Sequence, residues 1–575
     1  MVREGEFLYF FPKGAVGPLG NPPSRRGEPH SMRDGVFGGG KIAEKVEKIW
    51  REGCFFGRGP IDWEEKPIWE KERGNMVGFV ERWDVFEVQA AGPAEGNPFV
   101  EQWFRGVFRG QGETVAVDGF YDGDGVYKVR FMPSFVGEYT YETEGSFPGA
   151  AGAGSFTVTP AGEGNHGPVR VANTYHFAYE DGTPYYSVGT TCYVWPHQPE
   201  EVIERTLEEL DKGYFNKMRF CVFPKHYIHN FKDPQTFPYE GEPVDASGLS
   251  EENFSYHVDF SGNRWDFTRF NPEHFRRVER AILALRDRGI EADLIVMHPY
   301  DRWGFSDMGK EADDLYWRYC IARFAAFRNL WWSLANEYDL MRAKTLEDWE
   351  RYAALLCERD PYKHLRSVHN CMAFYDYTRP WVTHCSMQRQ DLYRHVEYTG
   401  DYRIRYGKPV VWDEIAYEGN IDMGWGNISG QELTRRFWEA SLRGGYAGHG
   451  ETFLDPEHDV LWWSHGGELH GESPARIRFL HEILCQTPGL GLKQGPGAFD
   501  EVVGVPESPV HQGEYELHYY GFGRPSFREF QKEGSWRVEV IDTWEMTIDD
   551  RGVFSGKFRV ALPGKEWMAV RLWKV

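Results

Sequence analysis

Two carboxylates close apolar runs in this chain. Glu337 ends Trp331-Trp-Ser-Leu-Ala-Asn-Glu337, and Glu414 ends Pro409-Val-Val-Trp-Asp-Glu414. A short apolar run bounded by polar residues reads as a buried strand. Two acids set at strand ends are the equipment for cleaving a glycosidic bond. One must be protonated, to hand a proton to the leaving oxygen. The other must be ionised, to attack the anomeric carbon or to activate water. Asn336, beside Glu337, is suited to hydrogen-bond a sugar 2-hydroxyl, a contact that tightens as positive charge develops on the ring. Asp413 rivals Glu414, and strand alternation turns only one of the two inward.

The elements that must hold these groups alternate between strand and helix over residues 166–490. The expected strands are Tyr185–Trp195, Lys217–Phe223, Ala292–His298, Leu330–Asn336, Leu365–His369, Val382–Met387, Pro409–Glu414 and Gly445–Phe453. Amphipathic helices follow most of them; the fifth is missing or very short. This is the pattern of an α/β chain closing as a (β/α)8 barrel, whose chemistry sits at the C-terminal ends of the strands. No G-x-G-x-x-G follows the first strand, which argues against a dinucleotide-binding open sheet. The strand-end residues are Trp195 and His197, Lys225 and His226, His298 and Asp301, Asn336 and Glu337, His369 and Asn370, Gln388, Glu414, and His449 with Glu451. The ends of strands four and seven face each other across a barrel mouth. A carboxyl separation of about 5–5.5 Å there gives double displacement with retention. The link Tyr227–Phe270 exceeds ordinary loop length and reads as an insertion covering substrate. Trp195, Trp303, Trp425, Trp462 and Trp463 fall in or beside the loops of that face, where indole can stack on sugar C–H faces.

The flanks read differently. Residues 81–165 carry short period-two strands with turn signals between them, which predicts a β-sandwich, and 491–575 predicts a smaller one. Residues 1–80 form a Gly- and Pro-rich extension with one helical stretch, Lys41–Arg51, and leave room for a homo-oligomeric contact.

Composition narrows the ligand. The 575 residues include 22 Trp, 31 Tyr and 40 Phe, 16% of the chain, which excludes an intrinsically disordered protein. The formal net charge of −23 disfavours nucleic acid and anionic lipid as partners, and suits a neutral carbohydrate. No apolar run is long enough to span a membrane. Met1–Lys13 lacks a basic stretch followed by an apolar one, so a cytoplasmic protein is expected. The eight cysteines are scattered without C-x-x-C, and the histidines show no H-E-x-x-H, so no metal and no cofactor are expected.

An Asn-Glu pair closing strand four with a Glu closing strand seven resembles the clan A glycoside hydrolases. Within that clan the chain is similar to the apiosidase-like barrel proteins. Gly119-Phe-Tyr-Asp-Gly-Asp-Gly-Val-Tyr-Lys-Val-Arg-Phe-Met-Pro133 resembles the N-terminal sandwich fused to such barrels. Gly448-His-Gly-Glu-Thr-Phe453 and Leu461-Trp-Trp-Ser-His-Gly-Gly467 resemble their eighth-strand region. Trp536–Trp544 with Ala569-Val-Arg-Leu572 resembles their C-terminal sandwich. The resemblance implies that Glu337 is the acid/base and Glu414 the nucleophile. It also implies that Arg219 stands beside the nucleophile and keeps it ionised. His298, Glu451, Trp195, Trp303, Trp462 and Trp463 complete the expected substrate-binding set. The expectation is a retaining, exo-acting glycosidase for a neutral glycoside. The alternative is a non-catalytic carbohydrate-binding protein on the same scaffold.

Overall fold

The structure, a computed structural model, describes residues 78–575 except Leu392 and residues 455–460. The expected extension, with its helix at Lys41–Arg51, lies outside the described residues apart from 78–80.

Eight parallel strands form the centre. They are β1 (Val188–Thr191), β2 (Lys217–Cys221), β3 (Glu291–Met297), β4 (Leu330–Ala335), β5 (Leu365–Ser367), β6 (Cys385–Met387), β7 (Val410–Trp412) and β8 (Tyr446–His449). The backbone-bonded order runs β5-β4-β3-β2-β1-β8-β7-β6, a (β/α)8 barrel open by one seam between β5 and β6. Side chains bridge that seam. Ser367 Oγ donates to the His384 carbonyl at 2.6 Å and accepts from the Ser386 N–H at 3.2 Å. Asn370 Nδ2 donates to the Gln388 carbonyl at 3.1 Å. No helix lies between β5 and β6, as the weak fifth helical pattern foretold.

The strands read as near-continuous apolar runs because both faces are covered: every residue of β3 and β4 is buried. The helices outside start on ordinary signals. Asn271 caps Pro272–Arg286, which carries Pro at its first position, and Thr345 with Asp348 forms a capping box on Leu346–Arg359. One element was not legible beforehand. Val169–Ala172, His176–Tyr179 and Pro184–Tyr185 form a small antiparallel sheet. It sets Phe177 against Trp331 and Tyr446, ring centroids 5.1 Å away in both cases. Both partners belong to strand starts, so this sheet plugs the end of the barrel away from the carboxylates.

Two sheets, of five and three strands, make the N-terminal sandwich. Its core is aromatic: Phe86 stacks on Phe156 at 3.7 Å and Phe108 on Phe131 at 4.4 Å, each pair joining the two sheets. The strand Phe104–Gly110 is preceded by a helical turn, Pro98–Glu101, which Pro98 opens at its first position. The C-terminal region is one six-stranded antiparallel sheet. Its two longest strands, Phe527–Asp542 and Thr547–Ala561, shift register between Lys532 and Ser535. Phe530 and Phe558, beyond that bulge, share one core with Trp536, Val538 and Leu572, so the sheet wraps over itself as a sandwich. Its other face reaches the barrel, where Tyr519 stacks on Trp438.

A buried ion network ties the N-terminal sandwich to the barrel. Arg323, fully buried, reaches Asp122 at 2.7 Å and Glu279 at 2.5 Å, and Arg130 shares Glu279. Removing one partner strands the others in a dry interior. Arg323→Ala is therefore expected to cost about 3–5 kcal/mol in denaturant-induced unfolding. A loss below about 1 kcal/mol contradicts the network.

Candidate active site

The site begins with a charge buried inside the barrel. Lys217, on β2, is 1% exposed and donates to Asp293 of β3 at 2.6 Å and to Asp413, just past β7, at 2.7 Å. Ser386 of β6 donates to the other oxygen of Asp413 at 2.5 Å. One step further towards the C-terminal face lies Arg219, also 1% exposed, whose Nη1 is 3.3 Å from Glu414 Oε1. Asp413 and Glu414 thus both turn into the barrel, contrary to the alternation expected of them. The physical reason is local: β7 ends at Trp412, so the pleat no longer sets their directions.

Glu414 collects donors. The Tyr193 hydroxyl donates to its Oε1, Arg219 stands on the same oxygen, and His369 Nδ1 lies 3.9 Å away. Burial opposes ionisation, but these neighbours outweigh it and hold the Glu414 carboxyl below the usual range. Burial, together with Arg219, lowers His369 to about 4, so at neutral pH the permanent positive charge on Glu414 is that of Arg219.

Glu337 is held differently. It sits in the left-handed region at φ 51°, directly after β4. That backbone is uncommon for a side-chain-bearing residue and aims the carboxyl away from the strand direction. Gln388 Nε2 donates to Oε1 at 2.7 Å, and Tyr300 donates its hydroxyl to Oε2. Asn336 Nδ2 is 3.4 Å from Oε2. Burial and the nearby Glu414 charge push Glu337 up to about 7, against the pull of Tyr300, Lys225 and Gln388. The two carboxylates are linked through one bridge, since the Tyr193 hydroxyl lies 3.3 Å from Asn336 Oδ1.

Aromatic side chains wall the pair. Trp463 meets Tyr193 edge to face at 5.5 Å, Tyr227 at 5.3 Å and Trp425 at 5.1 Å. Tyr227 comes from the long link after β2 and is packed by Tyr256 of the same link at 5.2 Å. A cavity of about 220 Å³ opens beside the carboxylates rather than over them, between the loops after β1 and β2, with Lys225, Asn230 and His465 on its wall.

Of the residues expected here, Glu337, Glu414, Asn336, Arg219 and Trp463 come together. The others find different surroundings. Trp462 is buried and donates Nε1 to Thr190 on β1 at 2.8 Å. Trp195 packs edge to face on Phe220. Trp303 stacks on Phe305 and accepts from Trp265 Nε1 at its carbonyl. His298 lies 3.3 Å from the Phe223 carbonyl, and burial with Lys225 lowers it to about 3, so it is a neutral spacer under the loops. Both oxygens of Glu451 are taken by backbone N–H groups, of His470 at 2.6 Å and Gly471 at 2.8 Å. Tyr193 and Tyr300 were not singled out beforehand, and Gln388 was noted only as the end of strand six. Their signal was position only, at or just past the ends of β1, β3 and β6. Among the described residues no group of three or more His, Cys, Asp or Glu is arranged to hold a metal ion.

Residues 171–466, more than half of the chain, match the family described as apiosidase-like, catalytic domain. The chain belongs to the apiosidase-like family. Flanking segments match two domains of unknown function, DUF5060 over 79–146 and DUF5605 over 501–573. A crystal structure from Bacteroides vulgatus ATCC 8482, provisionally assigned as a glycoside hydrolase, is 36% identical with a TM-score of 0.78. The match covers 87% of this chain and 100% of that one. A family 5 glycoside hydrolase from the same organism is 14% identical over 71% of this chain and 94% of its own, with a TM-score of 0.53, a likeness of fold. No curated protein matches significantly. This apiosidase-like chain therefore has the fold of the glycoside hydrolases, and among its described residues no helix is long and apolar enough to cross a membrane.

Tyr300→Phe deletes a donor that stabilises ionised Glu337. The Glu337 titration is expected to move further above about 7, read by carboxyl 13C NMR. A downward move contradicts the arrangement.

Proposed function

We propose that this protein is a retaining glycoside hydrolase acting on a neutral glycoside from its chain end. The observation that carries the reading is the unequal company of the two carboxyls: Arg219 and the Tyr193 hydroxyl stand on Glu414, while the groups in contact with Glu337 are all neutral. Glu337 is pushed up to about 7 while Glu414 is held below the ordinary glutamate value. Pairs split in this way divide into a proton donor and a nucleophile.

The steps follow from that split. Glu337 gives its proton to the glycosidic oxygen as the bond to the anomeric carbon breaks. A Glu414 oxygen attacks that carbon and forms a glycosyl ester, and the aglycone leaves as an alcohol. Glu337, now ionised, takes a proton from water; the hydroxyl oxygen displaces Glu414, and the sugar leaves with its original configuration. Arg219 and Tyr193 keep Glu414 ionised and well aimed before attack. Asn336, between the two, is the residue for the sugar 2-hydroxyl. The enclosure supports exo action: Glu337 is 6% exposed and aromatic side chains stand on several sides. A terminal sugar suits such a site better than the interior of a polymer.

Glu414→Ala is expected to lower hydrolysis of the best aryl glycoside by at least about 10³-fold, and Glu337→Ala by about 10²–10⁴-fold. NMR of the first-formed product should show the retained anomer; the inverted anomer refutes double displacement. In kcat/KM, activity falls as pH rises through about 7, where Glu337 loses the proton it must donate. On the acid side it persists to below the ordinary glutamate value, because Glu414 resists protonation. A profile rising through pH 7 to an alkaline optimum contradicts the assignment of roles.

A further inference from the structure

The barrel buries two lysines, one in its interior and one at its mouth, and they are treated differently. Lys217 spends its donors on Asp293 and Asp413. Lys225, past the end of β2 and 3% exposed, has no carboxylate, carbonyl or hydroxyl partner for Nζ among the described residues. Instead Nζ is boxed by four aromatic rings, with centroids at 3.5 Å for Tyr193, 4.4 Å for Tyr300, 4.8 Å for Trp463 and 5.1 Å for Tyr227. Aromatic faces attract a cation but are weak hydrogen-bond acceptors, so the box holds the ammonium in place and leaves its N–H donors available. Two of these rings belong to the phenols that donate to the carboxylates, Tyr193 to Glu414 and Tyr300 to Glu337. Lys225 therefore lies between the two carboxyl-holding tyrosines. A buried donor left without an acceptor calls for one from elsewhere.

We infer that Lys225 is a specificity-determining residue that hydrogen-bonds hydroxyl oxygens of the glycone seated between Glu337 and Glu414. The inference rests on the glycosidase reading above. Charge decides that the acceptor is neutral. The cluster contains three cations, Lys217, Arg219 and Lys225, and four carboxylates, Asp293, Asp413, Glu414 and Glu337. It balances once Glu337 carries its proton, so no surplus positive charge remains for a carboxylate or sulfate on the sugar. Burial supports the same picture by lowering Lys225 to about 8, close to the edge of its charged range. An ammonium so placed accepts no hydrogen bond, so it also selects against a protonated amino group in place of the hydroxyl, which has no acceptor to offer and carries like charge.

The test uses the p-nitrophenyl glycoside that the wild type cleaves fastest, its monodeoxy analogues, and the uronide of the same sugar. Wild type, Lys225→Met, Lys225→Gln and Glu414→Ala are compared, with thermal melts to confirm folding. For one ring position, removing the hydroxyl is expected to cost the wild type about 10–100-fold in kcat/KM and Lys225→Met less than about threefold. Lys225→Gln, which keeps a donor, falls between them and serves if the methionine variant does not fold. A merely structural role lowers every substrate by the same factor. That uniform loss overturns the inference, and so does a wild-type preference for the uronide that disappears in Lys225→Met. Either result leaves the glycosidase reading standing as long as Glu414→Ala is inactive. If Glu414→Ala and wild type do not differ on any glycoside, the reading fails and the inference falls with it.

Discussion

The charge of Lys217 governs much of this barrel. An ammonium 1% exposed in the interior needs compensation on the spot, and Asp293 on the neighbouring β3 and Asp413 just past β7 supply it. Once those two aspartates are in place, they in turn favour a second cation above them, Arg219, which is buried beside Glu414. Charges therefore alternate up the barrel axis, from Lys217 through Asp413 and Arg219 to Glu414. Each member tolerates burial because of the one below it. The ionised state of Glu414 at the mouth is thus prepared two layers down, by residues that no sugar could touch.

Glu337 stands outside that stack. Its neighbours are a phenol, two amides and the negative Glu414, none of which is a direct cationic partner. Burial then works on it unopposed by a contact ion pair, and it keeps its proton to about pH 7. The split between the two carboxyls is a consequence of which strand carries the cation. β2 places Arg219 opposite the end of β7, and nothing equivalent opposes β4. The aromatic walls add to the effect, because Tyr193, Tyr227, Tyr300 and Trp463 exclude the water that would level the two values.

The strand ends carrying Asn336, Glu337 and Glu414 were readable from the sequence, because a strand buried on both faces writes itself as an apolar run. Trp331–Ala335 and Val410–Trp412 are such runs, and the glutamate that closes the polar pair after each one, Glu337 after Asn336 and Glu414 after Asp413, marks the mouth. What that logic could not rank was the tryptophans. Trp462 and Trp463 are adjacent in sequence, yet one is buried against Thr190 under the sheet and the other faces Tyr193 and Lys225. Adjacent residues of a short helix point in different directions, and composition carries no trace of it. The plug formed by 169–185 was illegible for a related reason: its strands are two to four residues long, too short for a period to show. Tyr193 and Tyr300 were hidden by their type, since a tyrosine inside an apolar run reads as core until its hydroxyl is seen to reach a carboxylate.

The open seam between β5 and β6 has the same bearing on the site. With no helix there, the chain leaves β5 at the barrel mouth, where Asn370 fastens it to Gln388 at the end of β6. That fastening fixes the Gln388 backbone, and the Gln388 side chain donates to Glu337 Oε1. Asp339, two residues beyond Glu337, accepts three successive N–H groups from Cys371, Met372 and Ala373 of the same segment. The left-handed turn at Glu337 is thereby held from both sides by the segment that replaces the missing helix. The gap in the (β/α) alternation, a flaw when strands and helices are merely counted, supplies the fixed backbone that a strained carboxylate position requires.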